Sequence, residues 1–263
     1  MNSILMTGGG IGFIFLMTCL GAATVFFFQK STPGKFQQIF LGFAAGVMVA
    51  ASIWSLLIPA IEAANAKWQA GWIPAASGFV LGGLFLFGLD KVIPHLHPYS
   101  EEPEGPATRS KRTTLLIYAV TLHNIPEGMA VGLSFALAAE HGGDPALYAA
   151  AVALALGIGI QNIPEGAAVA LPLRQGGLGA GKAFSLACLS GAVEPVFALL
   201  TVLMAAWIAP VMPWLLSFAA GSMIYVVVEE LIPEAHLGEH SHAGTLGVMA
   251  GFLMMMVLDV ALA

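Results

Sequence analysis

Apolar residues fill this chain in runs longer than soluble helices need, and polar residues interrupt them at fairly regular intervals. A helix of about 20 residues crosses the hydrocarbon core of a bilayer. Eight stretches reach that length, at 5–28, 36–60, 72–93, 114–139, 146–173, 183–208, 211–233 and 244–262. The connections are short apart from His95–Arg112, which follows Pro94, holds Pro98, Pro103 and Pro106 with three glutamates, and reads as a water-exposed loop. No room is left for a separate soluble domain. Residues 1–263 are therefore expected to form one all-α membrane domain of eight spans, with a loop at about 94–112.

Composition supports this pattern. Only 9% of residues are charged, against about 25% in a soluble domain, and the mean hydropathy is +0.87. A net charge of −6 excludes a general basic surface for nucleic acid. The two cysteines, Cys19 in the first run and Cys188 in the sixth, show neither disulfide nor thiolate-metal spacing and read as packing residues. The chain opens without a basic segment or a clear cleavage site, so the first run reads as a retained span rather than a leader.

Basic residues set the expected orientation. Lys30, Lys35, Lys91, Arg109, Lys111, Arg112, Arg174 and Lys182 fall on one side of the predicted spans, and Lys67 alone falls on the other. Both termini are then expected outside. The Pro-rich loop and the stretch from Glu229 to His242, with His236 and His240, are expected in the cytoplasm.

Two spans carry polar residues that no lipid-facing helix tolerates. His123-Asn124-Ile125-Pro126-Glu127-Gly128 in span four is echoed by Gln161-Asn162-Ile163-Pro164-Glu165-Gly166 in span five, 38 residues later. Joined by one short loop, the two spans run antiparallel, as an inverted pseudo-symmetric pair would, with a site at their interface near mid-membrane. Each proline removes an amide donor and leaves the carbonyl four residues back (Leu122 and Ile160) without its helical partner. Irregular backbone at that depth persists only against protein or a watery cavity. His123 and Glu127 stack on one helix face at i and i+4, as Gln161 and Glu165 do, with Asn124 and Asn162 about 100° around. An ionised carboxylate at mid-bilayer costs about 2.5–3.5 kcal/mol even on the lenient scale. Glu194, before Pro195 in span six, adds a third. Clustered carboxylates, an imidazole and amide oxygens call for a cation. Mixed nitrogen and oxygen donors without sulfur suit Zn²⁺, Fe²⁺ or Mn²⁺ better than Cu⁺ or Ca²⁺.

At these residues the chain resembles the ZIP family of divalent metal transporters, in particular its bacterial branch. The resemblance spans nearly the whole chain and implies a two-site metal centre. His123, Glu127, Gln161 and Glu165 would form the first site. Asn124, Asn162 and Glu194 would form the second, with Glu127 and Glu165 bridging. Two departures soften the ligand set, since many relatives have histidine in place of Gln161 and some a carboxylate in place of Asn162. The resemblance also implies uptake toward the cytoplasm and an exit route past Asp90, His95, His97, Glu230 and Asp259.

The implied protein is not an enzyme but a carrier in a bacterial inner membrane, with Zn²⁺ or another divalent transition metal (Fe, Mn or Cd) as transported substrate. Its expected partners are divalent metal ions and the bilayer, with a homodimer left open and no nucleic acid. The alternative is an intramembrane metal-dependent hydrolase. It needs metal ligands plus a free base, as in His-Glu-x-x-His, and no second histidine stands in the spans. A proton- or sodium-coupled carrier of organic solutes leaves His123 and the doubled motif unexplained.

Overall fold

With no water to bond the main chain, a lipid-embedded segment satisfies its amides within itself, and helices result wherever the apolar runs are long enough. The computed structural model describes residues 3–27, 34–68, 70–92, 112–175, 177–235 and 242–262. Span one is α1 (Ser3–Ala22), which tightens into a 3₁₀ turn at Ala23–Phe26. Span two is α2 (Gly34–Ala51), a π-helical turn at Ser52–Leu57, and α3 (Ile58–Trp68). Spans three, four and five are α4 (Trp72–Val92), α5 (Arg112–Glu140) and α6 (Pro145–Gln175). Span six divides into α7 (Ala180–Gly191) and α8 (Val193–Leu203), and α9 (Ala205–Ile208) follows. Span seven is α10 (Met212–Val226), a π-helical turn at Val227–Leu231, and α11 (Ile232–Ala235). Span eight is α12 (Ala243–Leu262). Seven of these spans are long and apolar enough to cross a membrane, and α5, 29 residues long with the polar motif inside it, makes the eighth. The protein is an all-α integral membrane protein.

Three departures from the sequence pattern have local causes. Span two runs on to Trp68 rather than residue 60, because Lys67 pairs with Glu140 at 3.5 Å and donates to the Ala209 carbonyl. Asn65 then closes its end by accepting the Gly71 amide at 2.7 Å. Span six breaks at Ala192, since Pro195 has no N–H for the Gly191 carbonyl. Both π-helical turns stand just before a proline, at Leu57-Ile58-Pro59 and Leu231-Ile232-Pro233. A widened turn there relieves the clash of the ring with the preceding carbonyl.

The packing pairs the spans in parallel couples. α1 lies along α6, α2 along α12, α4 along α10, and α5 along α8. Exchanging spans one with six, two with seven, three with eight and four with five maps these couples onto one another, as an inverted repeat requires. Sequence echoes the exchange beyond the hexapeptides. Phe43-Ala44-Ala45-Gly46-Val47-Met48 of span two recurs as Phe218-Ala219-Ala220-Gly221-Ser222-Met223 of span seven. Leu-Ile-Pro follows in both, one residue later in span two, whose π-helical turn has six residues against five.

Spans one, three, six and eight present much of their apolar surface outward, including Leu16, Leu84, Leu199 and Leu253. Residues 130–138 of α5 are buried without a break, so the motif-bearing helices occupy the interior. The α5–α6 turn, with Gly142 and Gly143 at φ 71° and 82°, folds the two antiparallel through a left-handed backbone that side chains resist. Asp144 caps α6 by accepting the Ala146 amide at 2.8 Å.

Candidate metal centre

Both hexapeptides lie inside unbroken helices, with Pro126 in α5 and Pro164 in α6. The glycine closing each motif is where a neighbouring backbone touches. A methyl group at Gly128 would meet the main chain of Glu194 in α8. One at Gly166 would meet that of Thr18 and Ala22 in α1. Glycine thus seats span six against span four, and span one against span five.

The polar side chains interlock across these contacts. Gln161 Nε2 donates to Glu127 Oε1 at 2.9 Å, tying span five to span four. Asn162 Nδ2 donates to Glu194 Oε2 at 2.6 Å and to the Ile14 carbonyl at 3.2 Å, tying span five to spans six and one. Asn124 Nδ2 donates to the Ser190 carbonyl at 3.4 Å. Thr18 Oγ stands 3.2 Å from the Ile14 carbonyl and 3.4 Å from Glu194 Oε1, sharing one proton between them. Asn124, Glu127, Gln161, Asn162 and Glu194 are all buried. Glu165 is half-buried, and its charge acts on both Glu127 and Glu194.

One regularity stands out in this network. All three amides direct their NH₂ groups at protein acceptors, and all three leave the amide oxygen without a donor. Asn124 Oδ1, Gln161 Oε1, Asn162 Oδ1 and the second oxygen of Glu127, Oε2, are buried without a hydrogen-bond partner. An orphaned buried acceptor costs about 1–3 kcal/mol, and a cation is a partner that each of these oxygens would accept. Among the described residues no three His, Cys, Asp or Glu side chains form a metal cluster by themselves. His123 follows Leu122 in α5, and its side chain lies outside the described residues.

The residues expected along an exit route divide. At the end of the bundle holding Lys91 and Arg174, the Tyr225 hydroxyl bonds Asp90 and feels the charges of Glu229 and Glu230. Glu230 is buried in the π-helical turn of span seven. His95, His97, His236 and His240 lie outside the described residues, and His242 is exposed. Asp259 does not join this group. It sits three residues from the end of α12, toward the opposite end of the bundle, where Ser55 Oγ donates to its Oδ1 at 2.7 Å. Span eight runs parallel to span two, so its last turns lie away from the end where span three finishes. Asp259 therefore stands on the other side of the centre from Asp90 and Glu230.

Span one was absent from the predicted centre, yet Thr18 and the Ile14 carbonyl hold Glu194 and Asn162. A threonine in an apolar run is a weak signal by itself. The stronger one was the echo of Cys19-Leu20-Gly21-Ala22 in Cys188-Leu189-Ser190-Gly191-Ala192, which makes span one the counterpart of span six.

Comparison with known proteins finds relatives along nearly the whole chain. The family model described as ZIP Zinc transporter matches residues 94–259. The zinc transporter ZIPB of Bordetella bronchiseptica is 42% identical over 97% of this chain and 80% of its own length. The zinc transporter GufA of Myxococcus xanthus is 40% identical over 93% of this chain and 94% of its own. The human zinc transporter ZIP11 is 35% identical, with 96% of each chain covered.

Proposed function

Because the chain belongs to the ZIP family of zinc transporters, we propose that it carries a divalent transition metal, zinc foremost, across a plasma membrane into the cytoplasm. The observation that carries this reading is the set of buried side-chain oxygens without donors on Asn124, Glu127, Gln161 and Asn162. A metal ion is the substrate such a set recognises. It replaces several waters at once, whereas a hydrolase would need an activated water on a three-ligand site.

His123, Glu127, Gln161 and Glu165 are the ligands of the first site in this reading. Asn124, Asn162 and Glu194 add the second, with the span-four and span-five glutamates shared. Glu194, held by Asn162 and Thr18, answers the charge of a second ion more than it coordinates the first. Neutral amide donors keep binding weak enough for release, which conduction requires as much as capture.

The excess of basic residues at the end with Lys91 and Arg174 makes that end cytoplasmic and the Asp259 end external. An ion then enters past Asp259 and Ser55, is dehydrated at the paired motifs, and leaves past Glu230, Asp90 and the His95–His97 segment. The test is uptake by the full chain in proteoliposomes holding a metal-sensitive dye. Zn²⁺ entry that Glu127→Ala abolishes is expected. If Zn²⁺, Fe²⁺, Mn²⁺ and Cd²⁺ all stay outside, the reading fails. Equal metal stoichiometry in wild type and Glu194→Ala would sink the second site alone.

A further inference from the structure

Packing contacts fix which residue of one half of the chain answers to which residue of the other. A methyl group at Gly82 of span three would strike the Phe218 carbonyl of span seven, and one at Gly251 of span eight the Phe43 carbonyl of span two. In the reverse direction, Gly221 of span seven meets the Phe79 carbonyl and Gly46 of span two meets that of Val248. One shift along the chain carries Phe43 to Phe218 and Gly46 to Gly221. A second carries Phe79 to Val248 and Gly82 to Gly251. The couple of spans two and eight therefore matches that of spans seven and three contact for contact, turned end for end.

Followed toward the ends of these spans, the same shifts carry Asp90 to Asp259, each preceded by leucine, and Ser55 to Glu230. Ser55 and Glu230 are each the fourth residue of a π-helical turn. The outer pocket, where Ser55 Oγ donates to Asp259 Oδ1 at 2.7 Å, is thus the counterpart of an inner pocket holding Asp90 and Glu230. Tyr225, whose hydroxyl bonds Asp90 and feels the charge of Glu230, places those two in one neighbourhood.

The pockets differ in charge at one position. The inner one has two carboxylates, and the outer one has a neutral hydroxyl where the second would stand. Ser55, Asp259 and Glu230 are all buried, and Asp259 Oδ2 has no hydrogen-bond partner. A divalent cation on two carboxylates forms a neutral complex, whereas one carboxylate leaves a net positive charge, which a buried pocket holds poorly. Ligand charge is a main lever on how tightly an oxygen site keeps a divalent ion. A serine hydroxyl also serves both states of the pocket. It donates to Asp259 when no ion is present and turns a lone pair toward an ion that passes.

We propose that Ser55 keeps the entrance a passing point rather than a binding site. By standing where the exit has a carboxylate, it sets the affinity of the outer pocket for divalent ions and so the rate at which they reach the paired motifs. The direction of travel rests on the transport reading, and the pocket itself does not.

The experiment equilibrates full-length wild type, Ser55→Glu and Ser55→Asp with Zn²⁺ in detergent and counts zinc per chain by elemental analysis. Each variant is expected to retain one ion more than wild type and to lose it when Asp259→Asn is added. Ser55→Gln, as long as glutamate but neutral, keeps the wild-type count. Ser55→Cys, close to serine in size, supplies a thiolate on metal binding and gains the same ion, which covers the case in which both carboxylates prevent folding. Asp259→Asn alone leaves the wild-type count unchanged, and a loss there would show that the entrance already binds. Folded Glu, Asp or Cys variants with no extra ion overturn the assignment, as does a gained ion that survives Asp259→Asn. In proteoliposomes the retained ion slows hand-over, so KM for Zn²⁺ falls by roughly tenfold or more and kcat falls with it. Uptake as fast as wild type with the extra ion in place overturns the control of rate. The counts are read without transport, so they decide the pocket even if no metal is carried.

Discussion

Replacing Gly128 by alanine adds one methyl group at the point where α5 and α8 touch. That methyl would lie 2.7 Å from the Glu194 Cα, whereas ordinary contact begins near 3.4 Å. The Glu194 carbonyl oxygen is nearer still, so span six must retreat by about 1 Å, and main chain cannot rotate away as a flexible side chain would. Overpacking of this kind costs about 1–3 kcal/mol. The retreat also stretches the 2.6 Å bond from Asn162 to Glu194, so the cost falls on the centre itself. At roughly 2–4 °C per kcal/mol for a chain of this size, the melting temperature drops by about 2–12 °C. If the whole cost is expressed in the metal-bound geometry, zinc affinity falls by roughly 5–150-fold. The assays are thermal unfolding followed by size-exclusion chromatography and equilibrium zinc binding in detergent. Gly12→Ala is the control, since a methyl group there meets nothing within 4 Å. A Gly128→Ala protein as stable and as tight for zinc as Gly12→Ala would refute the claim that helix contact at the motif glycine shapes the site.

Two further outcomes probe the network. Gln161→Leu leaves Glu127 Oε1 without its 2.9 Å donor, and a buried acceptor so orphaned costs about 1–3 kcal/mol. The metal-free protein should melt several degrees lower, and added Zn²⁺ should raise its melting temperature less than it raises that of wild type, because a first-site ligand is gone too. An unchanged melt would deny the bond. Asn162→Leu removes a short charge-assisted donor from Glu194 and Thr18→Val only a long shared one. Zinc stoichiometry and affinity should therefore suffer clearly more from the first, by about 1.5–3 against at most about 1 kcal/mol. The reverse order, read by titration calorimetry, would show that Glu194 is held from span one instead.

Much of this protein is written in linear patterns. Runs of apolar residues determine the spans, because lipid leaves the backbone only its own helical partners. His123, Asn124, Glu127, Gln161, Asn162, Glu165 and Glu194 are conspicuous as candidates because charge and amides at membrane depth are expensive and repeat in register. The proline after each π-helical turn and the Cys-Leu echo were equally present in the letters, yet a one-residue offset in each repeat obscured them. Tertiary structure decided the rest. Which atom of each amide faces protein and which is left without a donor depends on acceptors contributed by other spans, such as the Ser190 and Ile14 carbonyls. The side of the centre on which Asp259 stands follows from the parallel packing of span eight on span two. The closeness of Gly191 to Thr18 follows from the pseudo-two-fold relation, which sets distances between residues that no sequence spacing encodes. Short-range chemistry selects helices and polar candidates, whereas partners hundreds of ångströms of chain apart are chosen only when those helices close around one another.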